Sequence, residues 1–247
     1  MERKINKKPP IIFIHGAGGG GWEWEYWKIY FESHEYRCYA PTLNGNKKPL
    51  KDVSIFDYVK QLQKIVATIK QKPIVIGASM GGWLAQKIGE VEDVAKIVLV
   101  NSAPPWPIKK STHVPDVIKW STESTLQDTT DCMPEATKKT ILWAHPQWRD
   151  ESGKVIKQLR SGLSINKEKI KARVLVISGG ADVDITPKVS LEIAKYYNAD
   201  YFKFKGVSHV GALLGKRWKD IAATAETWIR LSQSVDLDGF EPSAFRM

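Results

Sequence analysis

The sequence predicts an α/β fold with a doubly wound, mostly parallel sheet, helices on both faces and an inserted helical cap. Short β-branched runs alternate along the chain with longer segments of helical period. Most of these runs are apolar at every position, as expected for strands that are buried on both faces of a parallel sheet. The alternation breaks once, between residues 104 and 166, where Trp, Pro, Thr and charged residues intermix.

Each element follows from its residue pattern. The predicted strands are short apolar runs: Ile11–Ile14, Arg37–Ala40, Ile74–Ile76, Ile97–Val100, Val174–Ile177 and Tyr201–Phe204. The predicted helices have apolar residues at helical spacing: Val53–Lys70, Gly81–Glu90, Pro187–Tyr197 and Trp218–Leu231. We therefore expect a core of residues 1–103 and 167–235, a cap of residues 104–166, and a C-terminal tail of residues 236–247 that has no clear period.

Composition narrows the class of function. The 247 residues carry a formal net charge of +10, but the basic residues are scattered, without a zinc finger or a long basic run. This favours a solvated surface over a nucleic-acid site. No apolar run reaches the ~20 residues of a membrane span, and the basic start lacks a signal-peptide apolar region, so we expect a cytoplasmic protein. Cys38 and Cys132 suit neither a disulfide framework nor a metal cluster.

The strongest catalytic motif is Gly77-Ala78-Ser79-Met80-Gly81, a GxSxG sequence between a predicted strand and a predicted helix. This strand–turn–helix context is the one that a nucleophile elbow requires. The sharp turn exposes the serine hydroxyl, and the glycines allow the strand and helix to approach closely. Ser79 is therefore the predicted nucleophile, and the Met80 N–H is a predicted donor to an oxyanion.

A second oxyanion donor is predicted in the loop after the first strand, which ends in His15 and continues as Gly16–Gly21. Small residues let this loop approach the elbow, and the Ala17 N–H is the candidate donor; His15 is expected to be structural. The same loop satisfies GxGxxG, the dinucleotide-binding pattern. However, the next predicted strand, Arg37–Ala40, does not end in the acid that would hold a ribose, which disfavours a dinucleotide site.

The predicted acid and base follow later strands. Asp182 lies in the turn after Val174–Ile177 and is the preferred partner for a histidine; Asp184 is the reserve, because either acid could instead cap the next helix. His209 follows the strand Tyr201–Phe204, in a loop at the same edge of the sheet. Its imidazole titrates near neutral pH, as a general base requires.

These motifs and their order, Ser79 then Asp182 then His209, resemble the α/β-hydrolase superfamily over about Pro10 to Leu231, apart from the insertion. The resemblance implies an α/β-hydrolase fold and attack of Ser79 on an acyl carbonyl. It also implies proton transfer by His209, an oxyanion hole formed by the predicted N–H groups, and release of the acyl-enzyme by water. Neither a metal nor an organic cofactor is expected.

Proteins of this superfamily carry out several classes of reaction, and the motifs allow more than one of them here. The motifs favour a serine esterase or thioesterase whose small-molecule substrate is free or bound to an acidic carrier protein. A carbon–carbon bond hydrolase and a hydroxynitrile-lyase-like enzyme are alternatives. The Ala17–Gly21 loop lacks the Gly-Pro of the former, and Val210 stands where the latter carry lysine. A ligand-sensing protein of the same fold, with little turnover, is the alternative of another class.

The predicted cap is rich in tryptophan. These side chains either line a substrate pocket or form the cap's own core, and the sequence favours neither role. The four tryptophans are Trp106, Trp120, Trp143 and Trp148.

Overall fold

A computed structural model describes residues 8–45, 48–108 and 113–234 of the chain. The predicted tail, residues 236–247, lies outside the described residues. The strands are β1 (Ile11–Ile14), β2 (Cys38–Tyr39), β3 (Ile74–Ala78), β4 (Lys96–Val100), β5 (Val117–Ile118), β6 (Glu151–Ser152), β7 (Arg173–Gly179) and β8 (Asp200–Phe204). Six of them form one parallel sheet in the order β2-β1-β3-β4-β7-β8, and β5 and β6 form a separate antiparallel pair.

The central strands are buried on both faces, as their uniformly apolar sequences predict. In β1, Ile11 and Phe13 face one apolar layer, whereas Ile12 and Ile14 face the other. Successive side chains of a strand point to opposite faces, so each strand contributes to both layers. The sheet therefore requires helices on both sides.

Ten α-helices are described. They are α1 (Glu25–Ser33), α2 (Ile55–Ala67), α3 (Met80–Val91), α4 (Trp120–Glu123), α5 (Leu126–Cys132), α6 (Lys138–Ala144), α7 (Gly153–Ser161), α8 (Pro187–Tyr197), α9 (Gly211–Leu214) and α10 (Trp218–Ser234). Residues of α1, α9 and α10 bury the layer beside Phe13, and those of α2, α3 and α8 bury the opposite layer. None of the described helices is both long and apolar enough to cross a membrane.

The predicted fold class is confirmed, with local differences. β2 is shorter than predicted, and α1 was not predicted. Helix α2 begins at Ile55 because Ser54 and Asp57 form a capping box there, so the chain at Val53 precedes the helix. The elements β5, α4 to α7 and β6 lie between β4 and β7, in the part of the chain where the cap is predicted.

The strand order determines where a site can form. The chain runs outward from β1 to β2 and then returns to β3 on the other side of β1. This reversal is a topological switch point, and ligands of open α/β sheets bind there, beyond the carboxyl ends of the strands. The loop after β1 and the Gly77–Gly81 turn after β3 are therefore neighbours.

Candidate active site

Ser79 lies at the junction of β3 and α3 with a strained backbone. Its φ of 53° and ψ of −121° are uncommon for a residue other than glycine. Its N–H is shared between the carbonyl oxygens of Val100 and Asn101, at 3.2 and 3.1 Å. These bonds tie the strained turn to the end of β4 and hold the serine at the edge of the cavity.

The motif glycines allow the elements around Ser79 to touch. A Cβ atom on Gly81 would overlap the carbonyl oxygens of Ile14 and His15, at the end of β1. A Cβ atom on Gly77 would overlap the carbonyl oxygen of Gly81. The GxSxG spacing is thus required by the close packing of α3 against β1 and β3.

His209 and Asp182 form a hydrogen-bonded pair. His209 Nδ1 lies 2.7 Å from Oδ2 of Asp182, whose side chain is fully buried. The other oxygen, Oδ1, accepts the N–H groups of Asp184 and Ile185 at 2.9 and 3.0 Å. Asp182, and not the reserve acid Asp184, therefore orients the imidazole and leaves its Nε2 available to act as a base.

The surroundings of His209 favour its protonated form. Burial lowers the pKa of His209, but the hydrogen bond and charge of Asp182 outweigh this effect, and the charges of Asp184 and Glu23 add to them. The net result is a pKa above the ordinary value of 6.5. Surroundings that raise the pKa of a histidine in this way stabilise the imidazolium that forms when the histidine takes a proton from a serine.

Asn101 connects all three parts of this constellation. It is buried, and its carbonyl oxygen accepts the Ser79 N–H. Its side-chain Nδ2 donates to the carbonyl oxygens of Ser208 and His209 at 3.2 and 2.8 Å, and its Oδ1 accepts the Gly179 N–H at 2.7 Å. One residue therefore joins the elbow, through its backbone carbonyl, to the histidine loop and the strand that leads to Asp182, through its side-chain amide. The sequence analysis missed it.

The two predicted oxyanion donors reach the same cavity as Ser79. Ala17 and Met80 both line it, and within the described residues neither backbone N–H has a hydrogen-bond acceptor. The carbonyl oxygen of Gly16 accepts His15 Nδ1–H at 2.7 Å and the Gly19 N–H at 3.3 Å. Because a trans peptide directs its C=O and N–H to opposite sides, these bonds orient the Ala17 N–H away from His15.

His15 is a neutral structural residue in this arrangement. Its Nε2 accepts the Leu43 N–H at 2.9 Å, so the proton is on Nδ1. Burial lowers its pKa to about 4. These contacts agree with the structural role predicted for it.

Glu23 is a second buried acid that the sequence analysis missed. Its Oε2 accepts the Gly16 N–H at 2.9 Å, and it lines the cavity together with Ser79 and His209. A Cβ atom on Gly16 would lie 3.3 Å from Ser79 Cβ and 3.8 Å from Glu23 Oε2, so the serine and the acid flank one glycine. Burial raises the pKa of Glu23 to about 7, although the Gly16 N–H and the charge of His209 oppose this.

The cavity has a volume of ≈ 340 Å³ and is mainly apolar, as expected for a small-molecule site. Of the four tryptophans of the predicted cap, Trp120 and Trp148 line the cavity. The lining does not include Trp106, whose ring packs against Tyr196 of α8, or Trp143, which stacks on Tyr26. The substrate-binding prediction is therefore corrected for these two residues, because both rings pack against helices of the core.

The acid–histidine group also has the composition of a metal site. Atoms of Asp182, Asp184 and His209 that could ligate an ion lie within 4.8 Å of one another. Both Asp182 oxygens and His209 Nδ1 are already committed to protein hydrogen bonds, which a cation would have to displace. The arrangement therefore fits an oriented imidazole better than a metal centre.

A parallel sheet with a serine elbow, an acid–histidine pair and two backbone N–H groups that line the same cavity at its carboxyl edge defines the α/β-hydrolase class of fold. A family model described as "Alpha/beta hydrolase family" matches residues 11–224. The chain belongs to the alpha/beta hydrolase family.

One known protein is similar to this chain in sequence over a short segment, and two others are similar to it in structure over most of its length. Norfluorocurarine synthase 2 from a Strychnos species is 35% identical over 79 residues, which span 30% of this chain and only 30% of that protein. Polyneuridine aldehyde esterase has a similar structure, with a TM-score of 0.71, 17% identity, and 89% of this chain and 99% of that chain covered. A methylesterase from Arabidopsis has a TM-score of 0.72, 13% identity, and coverages of 89% and 98%. At these identities the two structures demonstrate a shared fold.

Proposed function

We propose that this protein is a serine hydrolase that cleaves a carboxylic ester or thioester through an acyl-enzyme. The observation that carries the proposal is the 2.7 Å bond from buried Asp182 to His209, which lines one cavity together with the strained Ser79. A nucleophile, a base and an orienting acid are the groups that acyl transfer requires. The esterases among the proteins of similar fold support this choice of substrate class.

In the proposed reaction His209 takes the Ser79 hydroxyl proton while Oγ attacks the acyl carbon. The resulting oxyanion is stabilised by the N–H groups of Ala17 and Met80. Its collapse breaks the bond to the alcohol or thiol, which leaves with the proton held by His209. A water molecule then loses a proton to His209 and attacks the acyl-enzyme, which releases the carboxylic acid and regenerates Ser79.

The apolar cavity and its two tryptophans favour an apolar acyl or aromatic group near Ser79. Such a group loses water-exposed surface on binding, and each fully buried CH₂ contributes ~0.8 kcal/mol. The proposed substrate is therefore a small ester or thioester with an apolar acyl part.

The test is fluorophosphonate labelling with mass-spectrometric mapping, run beside turnover of short-chain p-nitrophenyl esters. The wild type is expected to be labelled at Ser79 and to turn over. Ser79→Ala should lose labelling and more than about 10³-fold in kcat. Ser124→Ala is the matched control, because Ser124 also lines the cavity but lies in the cap. Labelling at Ser79 without turnover would favour the ligand-sensing alternative, and labelling of Ser124 instead would refute the assignment.

A further inference from the structure

The loop that carries the Ala17 N–H is hydrogen-bonded to the predicted cap through both the N–H and the carbonyl oxygen of Gly18. Gly18 donates its N–H to Oε2 of Glu151 at 3.1 Å, and its carbonyl oxygen accepts the Arg149 N–H at 2.7 Å. Arg149 Nη1 also donates to the carbonyl oxygens of Gly19 and Leu43, at 3.2 and 3.0 Å. The bonds to Gly18 and Gly19 connect residues that are 130 or more positions apart in the sequence, and the bond to Leu43 connects residues 106 positions apart.

These contacts are built into the cap rather than made by mobile surface groups. Glu151 is 2% exposed, and its other oxygen, Oε1, accepts the Tyr58 hydroxyl at 2.8 Å. Gly18 has a φ of +69°, and a Cβ atom there would overlap the ring of Trp120. The loop is thus fixed by a buried carboxylate, a guanidinium and an indole ring, all of which belong to the cap.

We propose that Glu151 and Arg149 are positioning residues for the oxyanion donor. They hold Gly18, the residue that follows Ala17, and so align the Ala17 N–H with the carbonyl attacked by Ser79. Because Arg149 directly follows Trp148, which lines the cavity, an acyl group packed on this tryptophan contacts the same segment that aligns the donor. The Ala17 N–H is therefore aligned as an oxyanion donor only when Arg149 and Glu151 of the predicted cap are bonded to Gly18.

This inference rests on the proposed function, since an oxyanion donor has meaning only for acyl transfer. It predicts a change in transition-state stabilisation rather than in binding of the ground-state ester. Removing a whole oxyanion donor costs about 10²- to 10³-fold in kcat, so a donor that is only displaced should cost about 10- to 100-fold.

The experiment compares Glu151→Gln with Tyr58→Phe. Glu151→Gln is nearly isosteric, but its single oxygen cannot accept both the Gly18 N–H on one side and the Tyr58 hydroxyl and Ser152 N–H on the other, and its NH₂ group accepts no hydrogen bond. We expect kcat for a p-nitrophenyl ester and the rate of fluorophosphonate labelling to fall together about 10- to 100-fold, while KM changes less than about 3-fold. Tyr58→Phe removes one of the two bonds to Oε1, keeps the Ser152 N–H on that oxygen and leaves Oε2 on Gly18, so it should lose less than about 3-fold in kcat.

Amide hydrogen exchange over residues 16–20 provides a readout that does not depend on activity. Exchange of Gly18 and Gly19 should become faster in Glu151→Gln but not in Tyr58→Phe. A second variant, Arg149→Met, alters a half-buried side chain and should give a smaller change of the same kind. Equal losses in all three variants, or a lower Tm with unchanged kcat and loop exchange in Glu151→Gln, would overturn the inference. A wild type that neither labels nor turns over would instead refute the proposed function, while the exchange data would still decide whether the cap holds the loop.

Discussion

The two sides of the cavity are built by different means. On the sheet side, Ser79, Asp182 and His209 follow the carboxyl ends of parallel strands, and their positions depend on turns and register. On the side of the predicted cap, Gly18 is held by two residues that lie far away in sequence, through the Glu151 carboxylate and the Arg149 backbone N–H. The sheet side is therefore encoded locally, whereas the cap side depends on tertiary contacts. This difference determines what each substitution should do.

The largest expected effect distinguishes the two acids on the sheet side. Asp182→Asn should lower kcat by about 10³- to 10⁴-fold, because an amide cannot fix the donor tautomer of His209 or stabilise its charge. Asp184→Asn should lose less than about 10-fold, since the Asp184 N–H, and not its side chain, binds Asp182. Steady-state kinetics on one ester would decide. Equal losses in the two variants would contradict the assignment of the acid.

A second substitution tests the close packing of the elbow. Gly81→Ala should lower the free energy of unfolding by about 3 kcal/mol, because the new Cβ overlaps backbone oxygens of β1 that cannot rotate away. Gly206→Ala is a control for strain alone, since Gly206 has a φ of +73° and open space around it; it should cost about 1 kcal/mol. Urea unfolding measures both. A Gly81→Ala protein as stable as Gly206→Ala would show that the elbow tolerates expansion.

The core and the sheet-side residues are readable from sequence for a physical reason. Strands buried on both faces, such as Ile11–Ile14, are apolar throughout, and parallel strands carry the residues after them to one edge. Ser79, Asp182 and His209 could thus be expected to meet. Gly77 and Gly81 add a local signal, because their spacing reflects the contact of α3 with β1 and β3.

The remaining residues leave no comparable pattern. The Gly18–Glu151 bond joins positions 133 residues apart, and the Asn101–Ser208 bond joins positions 107 apart. No periodicity connects such pairs, so single-sequence analysis could not find them. Glu23 had a weak signal, as a lone acid between two tryptophans after a glycine run. Helix α1 follows directly and was equally hard to recognise among these aromatic residues.

Asn101 is an exception to the difference between the two sides, because its side chain makes long-range bonds on the sheet side, to the histidine loop and to Gly179. Asn101→Ala should lower kcat about 10-fold, since the Ser208 and His209 carbonyls and the Gly179 N–H lose their partners and the histidine loop shifts. Gln86→Ala is the matched control: it also removes a buried amide, but one that bonds to Gly82, Ser102 and Ala103.

Both variants should lose about 1–3 kcal/mol of unfolding free energy, and only Asn101→Ala should alter kcat strongly. Thermal unfolding and kinetics on the same preparations separate the two effects. If kcat falls in proportion to stability in both proteins, Asn101 has no specific part in aligning Ser79 with His209 and Asp182.

The smallest expected effect concerns Glu23, the acid at the boundary between the two sides. Its negative charge is one of the causes that raise the pKa of His209. Glu23→Gln retains an oxygen that can accept the Gly16 N–H but removes the charge, so the pKa of His209 should fall. The base is active only when deprotonated, and the acid limb of kcat/KM should therefore move to lower pH.

The control is Asp128→Asn, which removes a carboxylate that also lines the cavity but is not among the main causes of the raised pKa of His209. Its acid limb should coincide with that of the wild type. Profiles measured between about pH 5 and 8, across the ordinary titration range of histidine, would show the difference. An acid limb that does not move in Glu23→Gln would mean that Glu23 is already protonated at these pH values, so that its charge does not act on His209.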